Sequence, residues 1–441
     1  MNISDAILFA NEAPVPFDWN RLGENLPHEW VEACLAEKGK ASIRHRRLPA
    51  EQVVWLVIAL ALYRHHSIAE VLAELDLALP NVKAPFVTDG AVTRARQRLG
   101  VEPVEWLCRM SAKAWSEHDK QSYLFNGLVL FAIDGTTLRT PDSTENRAHF
   151  GAQAYAKTVS SYPQVRGATL THLSTHLVAD ARFGPYATSE KAFAMELLSS
   201  IVDDSLTLVD KGFLSAEVLC GITMNGRNRH FIIPAKSNTK WTVIEGHPDD
   251  AIVEMKVSST ARQKAPELPK TWRVRAIAVI DANNNKHFLL TSLIDRVAFT
   301  AAELIACYDR RWHIETSYRE LKQTMMGTAL TLRSQTVAGV MQEIWGAIIA
   351  YNLVRLEMAK VALEAGCAPT DISFVRAFHT IQYELLWAAA TRAQGKLPTL
   401  LQNMRKRLVT ELTVPRPGRK FDRVVKSKAQ RYPYRKMEKI A

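Results

Sequence analysis

The segment YDRRWHIETSYRELK, which begins at Tyr308, carries an acid, two bases and a phenol at regular spacing. Tyr308, Arg311, Glu315 and Lys322 lie at offsets 0, 3, 7 and 14. On one continuous α-helix, which turns by roughly 100° per residue, these offsets share an arc of about 60°. The plain alternative is a solvated amphipathic face with ion pairs four residues apart. That alternative does not explain why these four side chains should align.

Asp134 and Asp210 each follow a short apolar run that is typical of a buried strand, in GLVLFAIDGTT and LTLVDKGF. An acid there lies at the rim of a sheet, open to substrate on a rigid backbone. Either aspartate alone is weak evidence, because turns after strands favour Asp. With Glu315 they make three carboxylates, and hard oxygen ligands of this kind suit Mg²⁺. Two such ions about 4 Å apart can align a nucleophilic oxygen with a phosphorus and stabilise the leaving oxygen.

The elements before these acids have helical patterns, over residues 27–117. The run from Ala50 to His65 is apolar almost all round, which predicts a buried helix. The segment TDGAVTRARQRLG predicts a further helix, with Thr88 or Asp89 as its N-cap and Gly100 at its end.

Three arginines, Arg94, Arg96 and Arg98, lie in that last helix. Short helices that end in an arginine-rich one are typical of a helix-turn-helix, so we expect DNA contacts from Arg94 and Arg98 in particular. An ordinary helical bundle with a solvated arginine face is the alternative.

From Asn126 onward the pattern changes to short apolar or alternating runs between helical segments, which predicts a mixed sheet with flanking helices. Residues 237–286 are polar, contain prolines and include strand candidates, so they predict a mostly β insertion inside this α/β region. We therefore expect three domains: helical residues 1–120, an α/β domain at 121–335 that holds the insertion, and a helical region with a basic tail at 336–441.

The composition is that of an ordinary soluble globular protein, with 47% hydrophobic and 23% charged residues in 441. The longest apolar run, Val53 to Tyr63, is shorter than the roughly 20 residues that a membrane span needs. The N-terminus lacks the basic region of a signal peptide. The five cysteines are far apart in the sequence, which predicts reduced thiols in a cytosolic protein.

The net charge of +11 is concentrated at the C-terminal end. From Arg405 onward the chain has thirteen Lys or Arg and only three acids, so the rest is close to neutral. Such a concentration favours a polyanionic partner, above all nucleic acid. A merely solvated tail is the alternative.

Taken together, these motifs resemble those of insertion sequence 4 family transposases. Y-x2-R-x3-E-x6-K matches that family's signature at every position. IDGTT resembles the segment of its first catalytic aspartate, and LVDKGF resembles the second. The basic ending RVVKSKAQRYPYRK and the N-terminal SIRHRRLPAEQVVWLVIALALYR are also similar to bacterial relatives. The resemblance covers nearly the whole chain.

The resemblance implies an RNase H-like α/β catalytic core with a β-rich insertion, a helical N-terminal DNA-binding domain and a helical, basic C-terminal region. Asp134, Asp210 and Glu315 would be the catalytic acids and the metal ligands. The cofactor would be Mg²⁺, for which Mn²⁺ would substitute. Arg311 would hold phosphates near the cut through a bidentate fork.

Further DNA contacts are expected around this site. The resemblance implies that Tyr308 would hold a phosphate near the cut and that Lys322 would contact the DNA backbone as a point charge. Trp312 would stack on a displaced base, with ordinary core packing as the alternative. Lys236, at the start of the insertion, would touch DNA as well.

The implied activity is cut-and-paste transposition by a DDE transposase. Its partners would be double-stranded DNA at terminal inverted repeats and target DNA, handled by a dimer in the synaptic complex. We expect a cytoplasmic, nucleoid-associated protein with no membrane partner. The rivals are an RNase H-like nuclease without strand transfer, a domesticated DNA-binding protein, and a two-carboxylate glycosidase. The last leaves the basic tail unexplained.

Overall fold

The computed structural model describes residues 25–41, 48–75, 87–118, 123–154, 158–281, 284–327, 331–390, 404–405, 408 and 434–436. The chain forms two compact units. The helical unit consists of Met1–Ser111, Thr140–Arg147 and Glu320–Tyr434. The sheet unit consists of Ala112–Arg139, Ala148–Arg319 and Arg435–Ala441.

The described helices are numbered here in chain order. They are α1 (His28–Glu37), α2 (Ala50–Leu62), α3 (Ile68–Glu74), α4 (Asp89–Leu99), α5 (Glu102–His118), α6 (Thr144–Phe150), α7 (Glu190–Leu197), α8 (Ala216–Met224), α9 (Ser259–Lys264), α10 (Ala301–Asp309), α11 (Trp312–Arg319), α12 (Val337–Ala365) and α13 (Phe374–Ala390). A π-helix, Glu320–Met325, follows α11 directly.

The described strands follow the same convention. They are β1 (Leu124–Phe125), β2 (Leu128–Arg139), β3 (Thr158–Ser160), β4 (Gln164–His172), β5 (Val178–Pro185), β6 (Ser205–Val209), β7 (Arg229–Pro234), β8 (Thr242–His247), β9 (Asp250–Lys256), β10 (Thr271–Ile280), β11 (Lys286–Thr291) and β12 (Tyr434–Lys436).

Helix α2 is the buried helix that the apolar run from Ala50 predicted, and it begins directly after Pro49. It packs closely against α12 at Gly346. A Cβ at Gly346 would lie 2.8 Å from the main-chain oxygen of Val57 and 2.7 Å from a Val57 methyl group. Glycine is therefore required there by the close approach of two helices.

Helix α12 is long and apolar enough to cross a membrane by length and composition. However, 83% of its most apolar window is buried within the structure. Its side chains therefore face protein, as in the core helix of a helical domain.

Helix α4 has the ends that its sequence predicts. The Thr88 hydroxyl accepts a hydrogen bond from the N–H of Ala91 at 3.3 Å. Gly100, with φ of 74°, ends the helix in a conformation that favours glycine.

The sheet unit contains a 10-stranded sheet in the order β5-β4-β2-β6-β7-β11-β10-β9-β8, with β1 added alongside β2. The central pairs β2–β6 and β6–β7 are parallel, and the other pairs are antiparallel. Apolar side chains cover both faces of the sheet. Helices α7 and α8 pack on one face, and α10 and α11 on the other. The predicted mixed sheet with flanking helices is confirmed.

The segment 237–286 extends this sheet. It contributes β8, β9 and β10, which continue the sheet outward from β11. Arg275 on β10 binds both carboxylate oxygens of Asp250 on β9, at 2.6 and 2.7 Å. This buried ion pair fastens the added strands together. The expected fold class, an RNase H-like core with a β-rich insertion between helical parts, agrees with this architecture and with the family described below.

The C-terminal tail is described only in part. Strand β12 pairs with β3 in a two-stranded sheet. The expectation that residues 405–441 bind DNA falls almost wholly outside the described residues.

Candidate active site

Asp134 and Asp210 lie next to each other in the sheet. The parallel pairing of β2 with β6 ends at Ile133 and Val209, which are partners in register. The next residue on each strand is the aspartate. Since neighbouring strands lie about 4.8 Å apart, the sheet topology itself brings together two acids that are distant in sequence.

Asp134 does not end its strand, contrary to the sequence interpretation. Strand β2 continues to Arg139 and remains paired with β4 up to the partners Arg139 and Gln164. What ends beside Asp134 is the neighbouring strand β6. Beyond that point β2 lacks a neighbour on the β6 side, and Asp134 and Gly135 are only half-buried.

The Asp134 carboxylate is largely withdrawn from solvent, with 22% of the side chain exposed. Burial raises its pKa from 3.8 to about 6. A hydrogen bond from the Gly135 N–H, at 2.8 Å, and the Arg311 guanidinium oppose this shift. The carboxylates of Asp210 and Glu190 add to it. Asp134 is therefore a largely buried acid whose burial the hydrogen bond and the guanidinium offset only in part.

Asp210 caps the short 3₁₀-helix Lys211–Phe213 that follows β6. Its Oδ2 accepts a hydrogen bond from the N–H of Gly212 at 3.1 Å. Capping orients the carboxylate along its own loop while leaving its remaining lone pairs available to other partners.

The segment from Tyr308 to Lys322 is not the one continuous α-helix on which the predicted alignment of four side chains was based. Helix α10 ends at Asp309 and α11 begins at Trp312. Across the junction, the N–H groups of Arg310 and Arg311 bond to carbonyls three residues back instead of four. This tighter turn rotates α11 relative to α10.

The second interruption lies after α11, where the chain adopts the π-helix. There the N–H of Met326 bonds to the carbonyl of Leu321, five residues back. Lys322 lies in this π-helix, within the helical unit. Its position therefore does not follow from the α-helical spacing that grouped it with Glu315.

Arg311 connects the acids of the two elements. Its guanidinium lies 4.0 Å from the Asp134 carboxylate and 3.3 Å from that of Glu315. Burial alone would lower the pKa of Arg311, but the Tyr308 phenol and three carboxylates outweigh burial and raise it. Arg311 is thus the local counter-charge of the site.

Tyr308 lies over the end of β6. Its hydroxyl donates a hydrogen bond to the carbonyl of Val209 at 3.3 Å. Burial raises the pKa of this phenol, and Arg311 opposes the shift while Asp210 adds to it. Tyr308 is therefore a neutral hydrogen-bonding group beside Asp210 at neutral pH.

Tyr318 is a residue that sequence reasoning missed. It lies one helical turn after Glu315, and its hydroxyl lies 2.7 Å from the main-chain oxygen of Asp134, to which it donates. The same hydroxyl is 2.8 Å from that of Thr169 on β4. Tyr318 thus attaches helix α11 to the strand that carries Asp134. The only signal in the sequence was an aromatic residue on the buried side of a polar helix.

The remaining candidates lie in different surroundings. Trp312 is 61% exposed beside Arg311, so it is not a core residue. Lys236 is exposed just after β7. In the helical unit Arg94 and Arg98 are exposed, whereas Arg96 bonds to Gln342 and to the carbonyl of Gly339 and is a structural residue.

Comparison with known proteins gives this geometry its context. Residues 16–109 match the family described as "Insertion element 4 transposase N-terminal". Residues 126–353 match the "Transposase DDE domain". The chain is 37% identical over 414 residues to the transposase InsG for insertion sequence element IS4 of Escherichia coli (strain K12), covering 93% of each protein. It belongs to the insertion sequence 4 family of DDE transposases. It is therefore a DNA transposase, which cleaves DNA and transfers strands.

Two further similarities are weaker. The putative transposase InsZ of Escherichia coli (strain K12) is 36% identical over 249 residues, which is 55% of this chain and 81% of that protein. A solved piggyBac transposase synaptic complex with hairpin DNA covers 91% of this chain and 84% of its own, with 12% identity and a TM-score of 0.44. That score is too low for residue-level inference.

DDE transposase domains depend on divalent metal ions. The donor set suits such an ion, because Asp134 and Asp210 follow paired residues of β2 and β6, and the hydrogen bond and guanidinium beside Asp134 offset its burial only in part. Among the residues that the structure describes, no three His, Cys, Asp or Glu side chains are arranged to hold one ion together. Glu315 is instead engaged by Arg311. The pair Asp134 and Asp210 thus fits a metal ion. Glu315 would become a further ligand once its ion pair with Arg311 is broken.

Proposed function

We propose that Asp134, Asp210 and Glu315 are the three acids at which this transposase cuts and joins DNA. The observation that carries the proposal is the register of β2 and β6, which makes Asp134 and Asp210 neighbours at one edge of a parallel pair. Arg311, within 4.0 Å of Asp134 and 3.3 Å of Glu315, links the third acid to the first.

The reaction consists of two exchanges at phosphorus. Water first displaces the 3′ oxygen at the end of the element, and the freed 3′-hydroxyl then displaces an oxygen of a target phosphodiester. When bound, a divalent ion supplies positive charge for the nucleophilic and leaving oxygens. Asp134, Asp210 and Glu315 would hold it. Since all donors are hard oxygens, we propose Mg²⁺ as the ion, with Mn²⁺ able to replace it.

Arg311 would exchange partners when DNA binds. Its contacts to Asp134 and Glu315 are long and monodentate, whereas a guanidinium prefers a bidentate carboxylate or phosphate. Once a bound ion neutralised the acids, Arg311 would be free to bind a DNA phosphate. Tyr308 would donate to the same region, and Lys322 would add positive charge to the DNA backbone.

Contacts farther from the cut would position the DNA. Trp312, exposed next to Arg311, offers an aromatic face for a displaced base. Lys236, Arg94 and Arg98 are exposed cations that suit phosphate contacts. The DNA partners would be terminal inverted repeats and target DNA, handled by a dimer in the cytoplasm on the nucleoid.

The test uses a labelled duplex that carries one end of the element, with a plasmid as target. Glu315→Gln should abolish both nicking and joining in Mg²⁺ or Mn²⁺. It should leave affinity for the duplex within about threefold, because that affinity comes mainly from phosphate contacts elsewhere. Retained Mg²⁺-dependent nicking would remove Glu315 from the site. Wild-type protein that nicks but never joins would favour a nuclease.

A further inference from the structure

One further carboxylate lies at this site. Glu190 is the first residue of α7, whose N-cap is Ser189. The Ser189 hydroxyl accepts a hydrogen bond from the N–H of Ala192 at 3.2 Å. Phe193, Ala194 and Leu197 anchor the helix in the core cluster beneath the sheet. The position from which Glu190 projects is therefore rigid.

The Glu190 carboxylate rests directly on Gly135, the residue after Asp134. A Cβ at Gly135 would lie 2.2 Å from the carboxylate carbon and 2.3 and 2.7 Å from its two oxygens. Any side chain at position 135 would thus displace Glu190. The glycine in the IDGTT motif is accounted for by this approach from a helix 55 positions away in the sequence.

Nothing in the described part of the chain neutralises this group, because the Glu190 carboxylate has no hydrogen-bond or ion-pair partner there. Its negative charge helps raise the pKa of Asp134, as does that of Asp210. Three carboxylates thus lie near one another, while the counter-charge Arg311 is shared between Asp134 and Glu315. Bringing three acids together with one shared counter-charge costs folding free energy unless a cation joins them.

We propose that Glu190 is a fourth carboxylate of the catalytic site and supports the metal ion that Asp134 and Asp210 hold. It acts from the α7 side of the sheet, opposite to the side from which Glu315 approaches. It either binds the ion directly or accepts a hydrogen bond from one of its waters, since Mg²⁺ keeps several waters when bound by carboxylates. This inference rests on the proposed function of Asp134 and Asp210.

The test measures metal binding without DNA and without turnover. Full-length protein is titrated with Mn²⁺, and free Mn²⁺ is followed by electron paramagnetic resonance. Glu190→Gln should weaken Mn²⁺ binding by about 10-fold or more, the range seen when outer groups of metal sites are removed. Glu190→Asp, which keeps the charge, should recover part of that loss.

Glu196→Gln is the matched control. Glu196 lies on the same helix, but its side chain is 58% exposed and pairs with Arg182. It should bind Mn²⁺ like the wild type. Wild-type Mn²⁺ affinity in a folded Glu190→Gln protein would overturn the inference, and so would equal losses in Glu190→Gln and Glu196→Gln. If Glu190→Gln fails to fold, Glu190→Asp becomes the test variant, because its carboxylate is one methylene shorter. Wild-type Mn²⁺ affinity in Glu190→Asp would then overturn the inference as well.

Asp134→Asn separates this inference from the function on which it rests. It should abolish Mn²⁺ binding. If it does so while Glu190→Gln has no effect, only the role of Glu190 fails. If Asp134→Asn still binds Mn²⁺ like the wild type, the metal lies elsewhere and both proposals fail.

Discussion

Two arginines in the sheet unit meet carboxylates in opposite ways. Arg275 is buried between added strands and forms two short bonds to Asp250, at 2.6 and 2.7 Å, with a third bond to the carbonyl of Phe299. Arg311 divides itself between Asp134, at 4.0 Å, and Glu315, at 3.3 Å. The guanidinium of Arg275 thus has short hydrogen bonds to its partners, whereas that of Arg311 is shared between two acids.

The difference separates structure from chemistry. A cation whose hydrogen-bonding groups are all paired within the protein, such as Arg275, holds strands in place. It has no donor available for a substrate. A charge with long, incomplete contacts can change partners at little cost when a metal ion or phosphate arrives. Incomplete satisfaction of buried charge is therefore the feature that distinguishes the candidate active site from the rest of the same sheet.

The largest expected effect concerns the acids themselves. Asp134→Asn should reduce cleavage of an element end by at least about 10³-fold, which corresponds to about 4 kcal/mol of lost transition-state stabilisation. Single-turnover cleavage of a labelled duplex measures it. Glu267→Gln, an exposed acid of the insertion, should cleave like the wild type. Cleavage by Asp134→Asn within tenfold of the wild type would contradict the assignment.

The two arginines should respond oppositely to removal. Arg275→Met should lower the free energy of unfolding by about 3 kcal/mol, because it leaves a carboxylate without its buried partner. Arg311→Met should change it by less than about 1 kcal/mol, since its contact to Asp134 is long and its other partner, Glu315, is 46% exposed. Urea denaturation followed by circular dichroism measures both. Equal losses of stability would erase the distinction between a structural and a catalytic cation.

The pH dependence of stability should reveal the burial of Asp134 beside other acids. An acid whose pKa is about 6 in the folded protein holds its proton more tightly than in the unfolded chain. Its contribution to stability is therefore lost as pH rises from about 4 to about 6. The Asp134→Asn protein should not show this loss of stability, because asparagine does not titrate.

In EDTA, the advantage of Asp134→Asn over the wild type should be near zero at pH 4. It should approach roughly 3 kcal/mol at pH 7.5, in line with a shift of about two pKa units at about 1.4 kcal/mol each. Urea melts at both pH values give the difference. Mn²⁺ should reduce it at pH 7.5 by stabilising only the wild type. A difference that does not vary with pH would show that the pKa of Asp134 is not raised in the folded protein.

The smallest effect on stability is expected at Trp312. Because its side chain is 61% exposed, Trp312→Ala should change the free energy of unfolding by no more than about 0.5 kcal/mol. Trp241→Ala removes a ring that packs against Phe288 with 5.3 Å between centroids, and should cost about 2 kcal/mol or more. Thermal melts compare the two. Loss of DNA cleavage with Trp312→Ala alone would support base stacking.

The sequence alone determined the types of residue and the local elements. The apolar runs before Asp134 and Asp210 specified buried strands, and Thr88 and Gly100 specified the ends of a helix, because these signals act within a few residues. The resemblance in the three motifs identified the family and, with it, the fold class.

Only the tertiary structure decided which groups meet. The pairing of β2 with β6 made Asp134 and Asp210 neighbours, and the turn at Arg310 and Arg311 interrupted the expected continuous helix. The approach of Glu190 to Gly135 left no trace in local spacing. Periodicity is a property of one element, whereas contact between elements depends on strand order and helix packing, which no window of sequence contains.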